Sequence, residues 1–582
     1  MAWRFGARIG RLRPIKYGLG SGLGGGFGAR RLIQTESKQV GSSSGSAGKK
    51  QNKNNNGLLI TVGVATGSIF GFYFAMKQTL ANPPEFIFPH SSKTDLNDIP
   101  SPNYANYIEF QLAKEKFIEI LGQDSVSELE NDIETHTKNN YTLHEPKPHE
   151  KPQLILYPTS TEQVSDIMKI AHDYQTPIIP FCGGTSIEGQ YISSRQPCVI
   201  IDLSKINQIK HFNKSDLDIT VGAGTSWLDI NEYLDEYGLM LGPDPAPGAL
   251  IGGMIGTSCS GTNAMRYGTM KESVINLTVV LADGSIIKTK QRAKKTSNGY
   301  NLTNLFIGSE GTLGIVTEAT LKLHIKPKFE TIAVVSFNSI LDATNAVTQL
   351  ISEGVQLNAV ELLDERMMSC INFSKQTSKV WDEKPTLFFK IGSNNSKILN
   401  ELIKDVQKIS KNHNYYKFQF AKNESQQQEL WSARKSIFWS SIDYGRSQIS
   451  PNVKIWSTDV AVPISNLSSM IEETIKDTKE TGLYTTIVGH VGDGNFHCLV
   501  MYDEKDVDKA MSLVNRITER SIKFEGTVSG EHGIGMSKRS HLEKELGIET
   551  IQVMRKLKLS LDPLRILNPD KIFKIDPKDN HD

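Results

Sequence analysis

From Lys151 onward the apolar positions switch between two periods. "LILYPTS" and "TPIIPF" are short apolar runs bounded by turn residues, which predicts strands. Between them, "TEQVSDIMKIAHDYQ" spaces its apolar residues as an amphipathic helix. Strands, short helices and glycine-rich loops continue to about Pro327. Beyond it "IAVVSF", "SILDATNAVTQLISEG", "AVELLD", "TLFFKIG", "SKILNELIKDVQKIS", "VAVP", "SSMIEETIKDTKETG", "YTTIVGH", "FHCLVMY" and "KAMSLVNRITERSIKFEG" mix strand and helix patterns. That predicts an α+β domain of repeated β-α-β units over an antiparallel sheet. Upstream, "ANYIEFQLAKEKFIEILG" and "SVSELENDIETHT" have helical spacing, and the tail "LDPLRILNPDKIF" is a separate apolar, turn-rich segment.

One stretch has no polar face. Gly57 to Met76, "GLLITVGVATGSIFGFYFAM", is twenty residues without a charge. At 1.5 Å per residue it reaches about 30 Å, one hydrocarbon core, so a single spanning helix is expected, with a buried helix or a sorting signal as the alternatives its four glycines leave open. "SSSGSAGKKQNKNNNG" before it is a polar, low-complexity linker. Residues 1–35 hold Arg4, Arg8, Arg11, Arg13, Lys16, Arg30 and Arg31 and no acid, the make-up of a mitochondrial presequence, with a disordered basic arm for an anionic partner as the alternative. Lys49, Lys50 and Lys53 favour keeping the upstream side in the matrix, so the large C-terminal part would face the intermembrane space from the inner membrane. The expected organisation is a presequence over 1–35, a linker over 36–56, the spanning helix over 57–76 and a helical lead-in over 77–150. A cofactor domain follows over 151–327, a substrate or cap domain over 328–560, and a C-terminal segment over 561–582 that returns to the cofactor.

Composition narrows the functional classes. The 582 residues carry a net charge of +1, and the body of the chain has no basic run with interleaved aromatics, so nucleic acid is not an expected partner. Five scattered cysteines without C-x-x-C suggest neither a disulfide framework nor a cysteine zinc site.

Three glycine clusters precede residue 327: "PFCGGTSIEG" (180–189), "PDPAPGALIGGMIGTSCSGTNAMRYG" (243–268) and "IGSEGTLGIVTEATLKL" (307–323). Bare backbone at a strand end lets N–H groups converge on a phosphate. None matches the dinucleotide Rossmann or P-loop patterns. Three together argue for one large phosphate-bearing ligand lying across several loops.

Their order resembles the FAD-binding domain of the vanillyl-alcohol-oxidase type. "PFCGGTSIEG" is similar to that family's pyrophosphate loop, with Cys182 in place of a glycine, and "LNPDKI" to its C-terminal "NPGKI". The resemblance implies a two-part FAD domain with an α+β cap. It implies FAD contacts from Cys182, Gly183, Gly184, Thr185, Ser186 and Gly189 in the first loop. In the second it implies Pro243, Asp244, Gly252, Gly253, Thr257, Ser258, Gly261, Arg266 and Gly268. Glu310, Gly311, Ile315 and Val316 follow in the third, with Asn568 in the tail. Members that attach FAD covalently often carry a histidine in the first loop. Thr185 stands there, so noncovalent FAD is expected.

A second constellation lies in "GHVGDGNFH" (489–497) and "SGEHGIG" (529–535). The β-rich runs around "VGDGN" predict a hairpin that faces His490 and His497 across its end. Two imidazoles with a carboxylate make a usual catalytic zinc set with positions left open. Satisfied polar groups at a turn are the bland alternative. The same motifs resemble the 2-hydroxy-acid branch of the flavoprotein family, the D-lactate and D-2-hydroxyglutarate dehydrogenases. By that resemblance His490, His497 and Glu531 are ligands of a divalent metal, zinc foremost, His532 is the catalytic base, and Arg434 in "WSAR" holds the substrate carboxylate. D-lactate is the expected substrate and cytochrome c the expected electron acceptor. D-2-hydroxyglutarate brings a second carboxylate, which must be paired or left wet. Ser457, Leu499 and Phe438, one helical turn beyond Arg434, offer it no cation, although Lys454 is only three residues from Ser457. A membrane-tethered zinc hydrolase and a non-catalytic scaffold are the rivals from other classes, and neither would be yellow.

Overall fold

The computed structural model describes residues 91–139, 142, 144 and 146–579. The expected presequence, linker and spanning helix lie outside the described residues. Among the described residues no helix is long and apolar enough to cross a membrane.

Three sheets carry the fold. The first contains β1 (Val126–Ser127), β2 (Leu154–Leu156), β3 (Ile178–Phe181) and β4 (Val199–Asp202) in the order β1-β2-β4-β3. β2, β4 and β3 run parallel, and β1 is an antiparallel edge. Unbroken apolar runs such as "LIL" suit strands covered on both faces. The helix Thr161–Asp173 covers one face, started by Ser160, whose side chain accepts from the Gln163 N–H. The same core takes Phe110 and Phe117 from the helix Tyr107–Leu121 and Ile566 and Leu567 from the tail. The lead-in and the C-terminal segment are thus built into the first sheet's core. "SVSELENDIETHT" departs from its helical reading. Val126 and Ser127 pair with Leu156 and Ile155, and the helix begins only at Glu130. Two residues are too few for a strand period to register.

The second sheet is antiparallel, ordered β5 (Ile209–Asn213), β6 (Asp218–Gly222), β10 (Ile315–Ile325), β8 (Val274–Val280), β9 (Ile286–Lys288), with β7 (Leu239–Leu241) also on β10. The glycines of the three clusters begin in the loops after β3, after β7 and before β10; the second cluster also holds the helix Ile251–Thr257, and the third runs on into β10.

The third sheet is the α+β cap, antiparallel throughout. Its order is β14 (Tyr415–Phe420), β11 (Phe329–Phe337), β13 (Thr386–Ser393), β12 (Ala359–Leu363), β17 (Tyr484–Gly489), β18 (Asn495–Tyr502), β15 (Lys454–Ser457). β16 (Val460–Ala461) also pairs with β18. Alternation along the strands sorts two faces. Val360, Leu362, Ile487, Phe496, Cys498 and Val500 pack under the helices Ile340–Ser352, Ile464–Thr481 and Val507–Lys523. Leu363, Val488, Leu499 and Met501 face the other way, against Leu430, Ala433 and Ile437 of the 25-residue helix Glu424–Gln448. By that parity Glu361 and His497 belong to the second face, the one this helix covers.

Candidate active site

A cavity of about 1180 Å³ lies between the glycine loops and that second face of the cap sheet. It is larger than the roughly 300–1,000 Å³ common for small-ligand sites. Its loop side is lined by Cys182, Gly183, Gly184, Thr185, Ser186, Asp244, Gly252, Gly253, Thr257, Gly261, Glu310, Gly311, Ile315, Val316 and Asn568. Three features there suit a large polar ligand. Gly183 packs so closely that a Cβ would lie 2.2 Å from the Gly248 carbonyl oxygen. At Gly253 a Cβ would meet nothing nearer than Cys182 Cβ at 3.7 Å and would stand at the cavity wall. Asn568 spends its Nδ2 on the carbonyls of Gln190 and Glu310, at 3.0 and 2.7 Å, while its buried Oδ1 has no donor among the described residues. Burial pushes the Cys182 thiol up to about 12, so it stays protonated.

Five of the expected cofactor residues do not line the cavity. Gly189 packs on Met536, Pro243 is buried before Asp244, and Ser258 and Gly268 cap short helices with positive φ. Arg266 reaches instead into the cap, donating to Asn358 Oδ1 at 2.7 Å and to the Gly392 carbonyl at 3.1 Å.

The cap side of the cavity brings together Arg434, His490, His497, Glu531 and His532. The hairpin reading holds: β17 and β18 pair with Val488 opposite His497, and a short turn at Val491–Asp493 carries His490 back over it. The two rings meet edge-on at 5.7 Å. Both Nε2 atoms lie 3.3 Å from Glu531 Oε1. Each opposite nitrogen is anchored: His490 Nδ1 by Glu361 Oε1 at 2.8 Å, and His497 Nδ1 by the Thr458 carbonyl at 2.9 Å. Donating Nδ1–H fixes the tautomer that leaves a lone pair on Nε2, the arrangement of metal-ligating histidines. Electrostatics show how strongly the carboxylates favour positive charge here. Burial alone would lower the His490 pKa, but Glu361 and Glu531 override it and hold it well above the ordinary value. Despite its burial, Glu531 is held well below the carboxylate range, chiefly by His490. These donors call for a positive charge among them, and they fit a divalent cation.

Sequence reasoning missed the groups that hold this set. Glu361, 1% exposed, accepts from Arg434 Nε at 2.7 Å with Oε2 while Oε1 takes His490. Asp459 Oδ2 accepts the backbone N–H groups of Glu531 and His532, both at 2.8 Å, and the Ser529 hydroxyl. From the FAD side, Glu310 accepts two N–H groups further along the turn, Ile534 at 2.6 Å and Gly535 at 2.9 Å. The "SGEHGIG" turn is thus clamped by one carboxylate from each domain. A lone acid inside an apolar strand, as in "AVELL", is the signal that could have flagged Glu361.

His532 stacks on His497 with ring centroids 5.2 Å apart. Its Nδ1 faces Glu188 Oε1 at 3.5 Å, and Nε2 has no protein partner among the described residues. Burial lowers its pKa, but Asp459 and Glu188 outweigh that and leave it raised. Ser457 and Leu499 are register partners, and both line the cavity with Phe438. Lys454 lines it too, as do Lys435 and Arg446, cations that the sequence reading had not placed there. All three occupy exposed positions, toward the mouth.

Comparison with known proteins accords with this geometry. Residues 152–290 match the family "FAD binding domain", and residues 326–572 match "FAD linked oxidases, C-terminal domain". The chain is 50% identical over 490 residues to "D-lactate dehydrogenase [cytochrome], mitochondrial" of Kluyveromyces lactis, covering 83% of this chain and 85% of that one. It is 47% identical over 539 residues to "D-lactate dehydrogenase [cytochrome] 1, mitochondrial" of Saccharomyces cerevisiae, covering 90% and 92%. The fold matches the solved 4-ethylphenol oxidase from Gulosibacter chungangensis with a TM-score of 0.66 over 82% of this chain and 99% of that one, at 17% identity. This chain is a flavin-dependent oxidoreductase that belongs to the FAD-linked oxidase family, in the group of the mitochondrial D-lactate dehydrogenases of the cytochrome type.

Proposed function

We propose that this enzyme oxidises D-lactate to pyruvate and passes the electrons to cytochrome c. In this reading it is anchored in the mitochondrial inner membrane by residues 57–76, with its catalytic domains in the intermembrane space. FAD is held noncovalently by the glycine loops, and a divalent cation, zinc foremost, by His490, His497 and Glu531. The carrying observation is the convergence of both histidine Nε2 atoms on Glu531 Oε1, beside Arg434 and His532 in one cavity. When bound, FAD supplies a two-electron acceptor and the cation a Lewis acid for the hydroxyl oxygen.

The protein's own groups do the rest. Arg434 is fixed through Nε, so its terminal nitrogens remain for the substrate carboxylate. That contact sets which face of C2 is presented, and the D hand itself rests on the family resemblance. His532 takes the hydroxyl proton at Nε2 while Glu188 faces Nδ1. Ser457, Leu499 and Phe438 suit a methyl better than a second carboxylate. The cations at the mouth draw the anion in but stay hydrated themselves. Anaerobic addition of D-lactate to purified protein tests the reading. Bleaching of the flavin band is expected, with a kcat/KM for D-lactate at least about 10²-fold above that for D-2-hydroxyglutarate. Equal values would overturn the substrate, and a colourless protein would overturn the flavin chemistry.

A further inference from the structure

We infer that Glu361 is a positioning residue that ties the substrate-binding arginine to the metal-ligating histidine, and that it must be a carboxylate to do so. The inference rests on the cation reading above. Glu361 lies on β12, 1% exposed, with no contact to the reacting atoms required. Its Oε2 takes Arg434 Nε at 2.7 Å and its Oε1 takes His490 Nδ1 at 2.8 Å. Both partners are donors. An ionised carboxylate offers two acceptor oxygens and no proton, so it satisfies both at once.

An amide of the same shape cannot. If a glutamine at 361 gives its oxygen to the charged Arg434, the stronger of the two donors, its NH₂ faces His490 Nδ1. His490 then pairs only by turning Nδ1 into the acceptor, which places the ring proton on Nε2, the atom that must bind the cation. If the amide turns round, its NH₂ opposes the Arg434 N–H and the guanidinium is released. A neutral isostere therefore sets metal and substrate against each other, whereas a packing role would be met equally well by glutamine.

The test reads zinc affinity by chelator competition on the FAD-loaded full chain, beside KM for D-lactate. Glu361→Gln is expected to keep FAD and to lose about 10–100-fold in zinc affinity, the range for removing a partner behind a ligand. Arg434→Ala frees the amide to turn toward His490, so the double variant should return to within about 3-fold of the Arg434→Ala zinc affinity. Glu361→Asp keeps both acceptor oxygens and should hold zinc better than Glu361→Gln, although it changes shape more. The inference falls if Glu361→Gln keeps wild-type zinc affinity and KM, or if the double variant stays as weak as Glu361→Gln. It also falls if aspartate is worse than glutamine. A wild-type protein that binds no divalent cation would instead remove the cation reading itself.

Discussion

The two sides of the cavity are made of different material. The loop side is largely backbone: glycines whose missing side chains allow close approach, and an asparagine held by carbonyl groups. The cap side presents titratable side chains, Arg434, His490, His497, Glu531 and His532, backed by the buried Glu361 and Asp459, all drawn from strands, a helix and turns of one domain. Backbone recognition tolerates changes of side chain but not an added methyl group. Side-chain recognition tolerates small shifts of packing but not a lost charge. One ligand is large and needs many weak contacts; the other is small and needs a few strong ones.

This contrast can be broken most sharply on the cap side. His532→Ala should lower kcat by about 10²–10⁴-fold, the usual worth of a general base, while FAD content and D-lactate binding stay near wild type. Flavin reduction in single turnover beside FAD content checks it, and a loss of FAD in step with activity would mean that the two sides are not separable. On the loop side, Gly183→Ala should weaken FAD binding by about 10–100-fold, because overpacking against the Gly248 carbonyl costs roughly 1–3 kcal/mol. Equilibrium titration with FAD measures that, and the cap-side zinc affinity should not follow. Ser457→Lys sharpens the substrate side by offering a distal carboxylate a partner. It should raise the ratio of kcat/KM for D-2-hydroxyglutarate over D-lactate by about 10-fold, read from paired steady-state assays.

The smallest effect lies outside the cavity and calibrates the others. His324 on β10 has its pKa pushed down to about 4, by burial first and then by Lys322, Arg266 and Lys294. An unfolded histidine binds its proton near 6.5, so protonation favours unfolding. Stability should be whole above pH 6.5 and lost as pH falls through 4. Melting curves across that window should show a shallower decline for His324→Phe than for the wild type. An identical decline would refute the assignment.

The contrast also decides what could be read from the sequence. "PFCGGTSIEG" and "GHVGDGNFH" keep their chemistry within ten residues, so local pattern reveals it, and the hairpin at His490 and His497 follows from turn residues between apolar runs. Glu361 lies 129 positions from the histidine it orients, and Asp459 lies 72 from Glu531, whose N–H it accepts. No period or motif joins such pairs; only the sheet order β12-β17-β18 does. Arg266 shows the reverse error. It sits inside a cofactor-like motif, yet its guanidinium serves the junction with the cap.

The turn that carries Glu531 and His532 hangs between Asp459 of one domain and Glu310 of the other. Burial raises the Glu310 carboxyl to about 7, so its grip on the turn depends on a proton whose loss near neutrality leaves both oxygens as acceptors. Glu531 and His532 therefore take their places in the cavity with the two domains seated against each other. By thermodynamic reciprocity, a cation bound at this turn would tighten the seam between domains, and whatever opens the seam would loosen the cation. On the proposed reading, metal affinity is a gauge of domain assembly.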